Sequence, residues 1–363
     1  MSRKFKVLNY LLTFLITGSL MFFTVYYSGK IHEVTIKDVI IPYIIGLVVA
    51  GLVCALAHEI GHVIFGKLNG FVLISFAIWC FRWEKRGKRF KFNFCFNFEE
   101  AGSTEMVKKE NVDMKKGLVS MTIGGLLFSF LIIVFSCIIF IVPTHYVVYN
   151  LLAPILPVGA YFFFGNAIPS AENNVRNDGG VLYGLRIGDD ESKVTLSILS
   201  IQTELYNGKT FSQIDEKYYF DLPQLPEDSL NFMMLLYYRY HYYLDKGDFE
   251  SAIKTTSRLI SLEEYMPKYF VYAVKTDALY NACTFDYNED KADEYMYELE
   301  KCLNKNNDAT SLRVKLAYIL LTKGERVILE DFYNKGLKEA KKCRLKGLRQ
   351  FETKLLEGLK NKF

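Results

Sequence analysis

The residues whose types and spacing could do chemistry are His58-Glu59-Ile60-Gly61-His62, an HExxH pattern near the end of a run otherwise apolar enough to cross a membrane. On an α-helix, residues four apart share a face. His58 and His62 therefore present two imidazoles to one metal ion, with Glu59 beside its open coordination position. Two neutral imidazoles hold Zn2+ without cancelling its charge, so the ion can lower the pKa of bound water from about 15.7 to roughly 7. Glu59 then has a proton to take and to pass to a leaving amine, general acid–base work contributing typically about 10²- to 10⁴-fold.

In a soluble helix the same pentapeptide reads equally well as an exposed polar turn. Its surroundings decide between the two. Val39 to Ala57 contains no charge, and Val63-Ile64-Phe65-Gly66 follows the motif. A charged group in such a run costs about 2.5 to 3.5 kcal/mol on insertion scales. Three ionisable residues within five positions therefore mark a functional site.

The elements that must position these residues follow from hydropathy. The chain has 363 residues, 51% hydrophobic and 15% aromatic, with a net charge of +4. Its mean hydropathy is only +0.10, the value expected of a membrane half joined to a soluble half. Basic residues cluster in particular loops and form no broad patch, so no nucleic-acid partner is indicated. The seven cysteines include no CxxC pair, which fits reduced thiols and argues against a disulfide framework.

Residues 1–188 read as a membrane domain with spans at about 7–27, 38–67, 117–142 and 146–168. A retained first span is favoured over a signal peptide because its apolar core is long and its cleavage pattern poor. Pro154 and Pro157 should kink or loosen the fourth span, and Gly124-Gly125 should let the third pack closely. His145 reads as an interfacial residue. Between the second and third spans, Phe90, Phe92, Phe94, Phe96 and Phe98 alternate with polar residues, the period of a strand. With Val72 to Trp83 as partner and Glu84 to Lys88 as turn, a β-hairpin over 71–98 is expected against or within the membrane. It either holds an unwound substrate by strand addition or is a structural sheet covering the site. Glu99 to Glu105 is expected to be a mobile loop.

Eleven Lys or Arg lie from Lys67 to Lys116, Arg3, Lys4 and Lys6 precede the first span, and Arg176, Arg186 and Lys193 follow the fourth. The positive-inside rule makes these segments cytoplasmic. The expectation is an integral, multi-pass cell-membrane protein with both termini in the cytoplasm and the HExxH motif at the cytoplasmic side.

Asn166-Ala167-Ile168-Pro169 closes the fourth span, and Asp178-Gly179-Gly180 comes nine residues on. A membrane-embedded HExxH followed by Asn-x-x-Pro and then Asp-Gly resembles the site-2 protease family of intramembrane zinc metalloproteases, over roughly Pro42 to Gly188. The resemblance implies His58, His62 and Asp178 as ligands of one Zn2+ ion and Glu59 as catalytic base. It implies Asn166 as a residue that positions substrate or stabilises the oxyanion, and Gly179 as the turn beside the ligand. The common pattern has the aspartate eight residues after the asparagine; here the spacing is twelve, and Glu172 in the longer loop competes as third ligand. Soluble metzincins would need Gly at 65 and His at 68, where Phe65 and Leu68 stand. No run reads as a PDZ domain.

Residues 189–363 are charged and Tyr-rich, with helical periodicity and no spanning run. Tyr243 to Ala252 resembles the turn of a tetratricopeptide (TPR) hairpin, and Leu321 to Glu325 is a similar turn. A soluble α-helical, TPR-like domain is expected, offering a groove to a peptide or protein partner or forming a compact cap.

The functional expectation is a metalloendopeptidase that cleaves a membrane-protein or peptide-precursor substrate in or beside a transmembrane segment, within the lipid bilayer. The alternative is a non-proteolytic membrane scaffold with a vestigial metal site, recruiting partners through its helical domain. A transporter would need more polar residues inside the third and fourth spans than are there.

Overall fold

The computed structural model describes residues 3–87, 89–94, 101–142, 144–172, 175–323 and 325–362, with the side chains of 3–6 and 172 outside the description. It separates into two compact units, Met1–Lys85 with Phe90–Ser192, and Arg86–Arg89 with Lys193–Phe363.

Four helical segments of the first unit are long and apolar enough to span a membrane: Val7–His32, Ile36–Leu68, Met114–Phe140 and Tyr146–Ala167. The first lies in α1 (Arg3–His32) and the second is α2 (Ile36–Leu68), whose N-terminus is closed by a Thr35–Asp38 capping box. α3 (Met114–Ser136) carries most of the third. The fourth is broken into α4 (Tyr146–Leu152) and α5 (Ile155–Ala167), because Pro154 has no N–H to continue the ladder. His145 caps α4, accepting from Val147 N at 3.4 Å. Apolar side chains such as Phe14, Phe22, Ile41 and Phe135 face outward.

Glycines set how closely these helices approach. A Cβ on Gly61 would lie 2.2 Å from Gly124 O, and one on Gly124 would lie 2.4 Å from Gly61 O. Only paired glycines let the two backbones touch, the small-residue packing that joins helices in lipid. This crossing fixes α2 against α3 one residue from His62.

Between α2 and α3 the chain forms a four-stranded sheet in the order β3-β2-β1-β4, from β1 (Phe71–Ile78), β2 (Phe81–Arg86), β3 (Arg89–Phe94) and β4 (Gly102–Lys108). The expected hairpin is corrected in two respects. Val72 to Trp83 is not one strand: it turns at Trp79-Cys80, and Ser75 to Ile78 pairs back on Phe81 to Glu84. Trp79 takes φ +50° there, a conformation that non-glycine residues seldom adopt. Its ring lies against Gly51, where a Cβ would be 2.9 Å from Trp79 Cζ2. Neither residue of the turn has turn chemistry, so the alternation ran through it unmarked. Nor is 99–105 a loop throughout. Gly102 begins β4, which pairs antiparallel with β1 across a bulge at Leu73/Ser75. Phe96, Phe98, Glu99 and Glu100 lie outside the described residues.

β1 doubles back along α2, from beside Leu68 to the level of Gly51, about 25 Å at about 1.5 Å per helical residue. On β2 and β3 the rings of Phe81, Trp83, Phe92 and Phe94 cluster with centroids 5.4 to 6.4 Å apart, and Phe92 and Phe94 stay half exposed.

A two-residue pairing, β5 (Ala171–Glu172) with β6 (Val175–Arg176), leads into α6 (Asp178–Ile187), ended by Gly188 at φ +68°. Arg176 reaches Asp189 at 2.8 Å. Burial works to raise the Asp189 carboxyl, but the bonds from Arg176 and Ser192 outweigh it and hold the pKa below the usual carboxylate range.

The second unit is helical. It comprises most of α7 (Asp190–Asn207), then α8 (Lys217–Phe220), α9 (Leu230–Lys246), α10 (Phe249–Ile260), α11 (Lys268–Asn281), α12 (Glu289–Lys305), α13 (Ala309–Leu321), α14 (Arg326–Ala340) and α15 (Lys346–Lys360). Side-chain caps start four of them: Ser229, Asp248, Asn288 and Asp308 each accept a backbone N–H three residues on. Gly247 at φ +85° turns α9 into α10, and α9–α10, α11–α12 and α13–α14 pack as successive hairpins. The space between α9, α11, α13 and α15 is filled. Phe211 sits between His241 and Phe351, and Lys354 bonds Asp245 at 2.8 Å. Burial opposes ionisation of Asp245, yet bonds from Lys354, Thr210 and Ser212 hold its pKa below the ordinary value.

Candidate metal centre

α2 supplies His58, Glu59 and His62 from adjoining turns, and the N-terminus of α6 supplies Asp178. Asp178 Oδ2 lies 3.3 Å from His58 Nε2 and 3.5 Å from His62 Nε2, and the two Nε2 atoms are 3.1 Å apart. One ligand atom from each of the three residues falls within 4.8 Å of the others, the spacing of a possible metal-binding group. The side chains are only 8%, 12% and 17% exposed.

The surroundings say which atoms are free to bind a metal ion. His62 Nδ1 contacts Met121 O at 2.9 Å. A carbonyl only accepts, so Nδ1 carries the proton and Nε2 is left with its lone pair toward Asp178. His58 Nδ1 pairs with Ser129 Oγ at 2.9 Å. Such partners behind the ring fix orientation and raise basicity in metal sites. Asp178 Oδ2 is buried and has no hydrogen-bond partner. A carboxylate oxygen stranded among imidazole nitrogens is costly unless a cation completes it, so the donor set fits a divalent ion that accepts nitrogen and oxygen ligands.

Asp178 is held by its neighbour. Asn177 caps α6, its Oδ1 accepting from Gly180 N at 2.9 Å and from Ser170 N at 2.9 Å. Its Nδ2 donates to Gly165 O at 2.6 Å and Ile168 O at 2.8 Å, stitching the end of α5 to the start of α6. Gly179 is required in the same corner, since a Cβ there would lie 2.2 Å from Ala167 O. Gly125 makes room for His62 itself. A Cβ on it would meet His62 Nε2 at 2.4 Å.

Glu59 is 7% exposed and is held from the sheet, with Thr104 Oγ1 donating to Oε2 at 2.5 Å. β4 comes this close only because Gly102 has no side chain; a Cβ would lie 2.8 Å from Oε1. The strand beside Glu59 is thus β4, not the Phe-rich β3.

Of the residues expected from sequence, His58, His62 and Asp178 converge and Glu59 adjoins them on α2. Asn166 makes no hydrogen bond with any of the four; its amide nitrogen donates to Phe162 O at 2.9 Å, one turn back in α5. The Glu172 side chain lies outside the described residues. Sequence reasoning missed Ser129, Thr104 and Asn177. Ser129 had a signal, a hydroxyl on the third span, and Ala101-Gly102-Ser103 is a run small enough to have announced a close approach.

Comparison with known protein families, with curated proteins and with solved structures finds no match for this chain.

Proposed function

We propose that the protein is a membrane-embedded zinc endopeptidase, a reading carried by the buried convergence of His58, His62 and Asp178 around an Asp178 oxygen that no hydrogen bond satisfies. His58, His62 and Asp178 would hold one Zn2+, which supplies a positive charge that acidifies a water molecule and polarises the scissile carbonyl. Glu59 takes the proton of the attacking water and delivers it to the departing amine. Thr104 fixes Oε2 of Glu59, and Oε1 accepts no hydrogen bond from it.

A substrate helix must unwind before hydrolysis, since its carbonyls are already bonded within the helix. β4 is an edge strand: its one strand partner among the described residues is β1. A peptide added along its outer edge would lie extended beside Glu59, with main-chain bonds giving affinity. Asn166 remains the candidate for positioning that peptide, which requires its amide to leave Phe162 O when substrate enters. Substrates of this design are membrane-protein segments or peptide precursors. The basic segment from Lys67 to Lys116 favours a site at the cytoplasmic side, with both termini in the cytoplasm. The helical unit is TPR-like in its successive hairpins, and its filled interior favours a compact cap over an open peptide groove.

The test is mass spectrometry of membrane and secreted peptides from cells expressing wild type or Glu59→Ala at matched levels. Precursors should accumulate in the variant and short apolar fragments should disappear. Coincident profiles across several growth conditions, from a protein whose deletion has a phenotype, would sink the catalytic reading.

A further inference from the structure

Asn9 is 5% exposed on the first span, most of whose exposed positions are apolar. An amide in that setting is costly unless it is used. Its Nδ2 donates to Gly165 O at 3.2 Å and to Ile168 O at 3.2 Å, the same two carbonyls that Asn177 Nδ2 engages at 2.6 and 2.8 Å. Two amide groups offer four N–H donors and two carbonyls offer four lone pairs, so the set closes on itself. Thr13 completes the hold, its hydroxyl donating to Asn9 Oδ1 at 2.9 Å.

Those carbonyls end α5, and Asn177 is the residue that presents Asp178. The two acceptors are freed from helical pairing where α5 stops, and in lipid they have no water to turn to. α1, packed along α5, supplies half of their donors.

We infer that Asn9 is a positioning residue for the metal centre: through the shared Gly165 and Ile168 carbonyls, the first span holds the α5–α6 corner and with it the Asp178 ligand. The inference rests on the metal-site reading above. It makes α1 part of the support of the centre, so that moving α1 away from α5 loosens the ion.

The experiment uses the full-length protein in detergent, loaded with Co2+ in place of zinc. It reads ion stoichiometry, the visible absorption of the bound ion and the rate of its loss to EDTA. Asn9→Leu should release Co2+ about 10- to 100-fold faster than wild type, the effect typical of removing a ligand's support, with an altered spectrum. Thr13→Val, which leaves the amide in place and unties its oxygen, should shift the rate several-fold in the same direction and keeps the question open to test should the first variant fold poorly. Thr24→Val is the control, since it removes the 2.7 Å Thr24–Tyr43 bond elsewhere on α1 and should leave the release rate unchanged. Wild-type release from both the Asn9 and Thr13 variants, or equal acceleration by Thr24→Val, overturns the inference while leaving the metal site standing. A wild-type protein that takes up no Co2+ removes the metal-site reading, and this inference with it.

Discussion

Two of the buried polar clusters among the described residues are finished differently. In the helical unit, Arg313 is fully buried and reaches Asp277 at 3.1 Å and Glu352 at 2.8 Å. Tyr237 donates to Asp277 at 2.7 Å, and Thr310 to Glu352 at 2.7 Å. The guanidinium nitrogen without a hydrogen bond, Nη1, belongs to a cation whose centre lies 4.1 Å from the Tyr280 ring centroid. The residues come from α9, α11, α13 and α15, one layer of helices tied by one chain of bonds. In the other unit, His58, His62 and Asp178 converge, and Asp178 Oδ2 is left without a hydrogen bond. The first cluster ties helices to one another; the second brings together the side chains of a possible metal-binding group.

The sharpest way to break that contrast is to take the cation from the finished cluster. Arg313→Met strands Asp277 and Glu352, and losing one partner of a buried ion pair costs about 3 to 5 kcal/mol. Hydrogen exchange of α13 peptides should report opening easier by about that amount, and unchanged exchange would mean that the network is not what holds these helices. The His58–His62–Asp178 group should respond more modestly, through its affinity for an added ion. Ser129→Ala removes the partner of His58 Nδ1 and should weaken Co2+ affinity about 10- to 100-fold, measured by competition with a chelating dye; an unaltered affinity would deny Ser129 its orienting role.

The smallest effect concerns pH. Burial, the largest influence, lowers the pKa of His241, and the opposing Asp277, 3.6 Å away, does not restore it. A folded-state pKa below the unfolded value of about 6.5 means that the unfolded chain binds the proton more readily. Stability of the helical unit is therefore full above that pH and falls below it, by at most about 1.4 kcal/mol per pH unit. Tyr237, Arg313 and Glu352 also face the ring, so the slope is assigned by difference: His241→Gln should flatten it in α9 peptide exchange between pH 5 and 7, and an identical slope would assign it elsewhere.

What could be read from sequence divides along the same physical line. His58, Glu59 and His62 were legible because helical spacing alone puts them together, and the four candidate spans because their apolar runs are long. Asp178 came from a motif and not from periodicity, since α2 and α6 meet only in the folded chain. β4 was missed because Gly102-Ser103-Thr104-Glu105 looks polar and loop-like, and it is a strand for tertiary reasons: pairing with β1 and contact with Glu59. The Trp79 turn was missed because what permits it, the bare face of Gly51, is distant in sequence. Asn9 and Asn177 converge on two carbonyls of a third segment, a relation that no local pattern carries.

The chain holds two tryptophans, Trp79 at the β1–β2 turn and Trp83 on β2, and so its fluorescence excited beyond the tyrosine band comes from one corner of one sheet. With Trp79 packed at the level of Gly51, far along α2 from its Leu68 end, that corner is a built-in depth gauge. Lipids carrying a quencher at graded positions along the acyl chain would read from the unlabelled protein how far the sheet sinks into the bilayer, and a peptide settling along β4 would change the colour of the light.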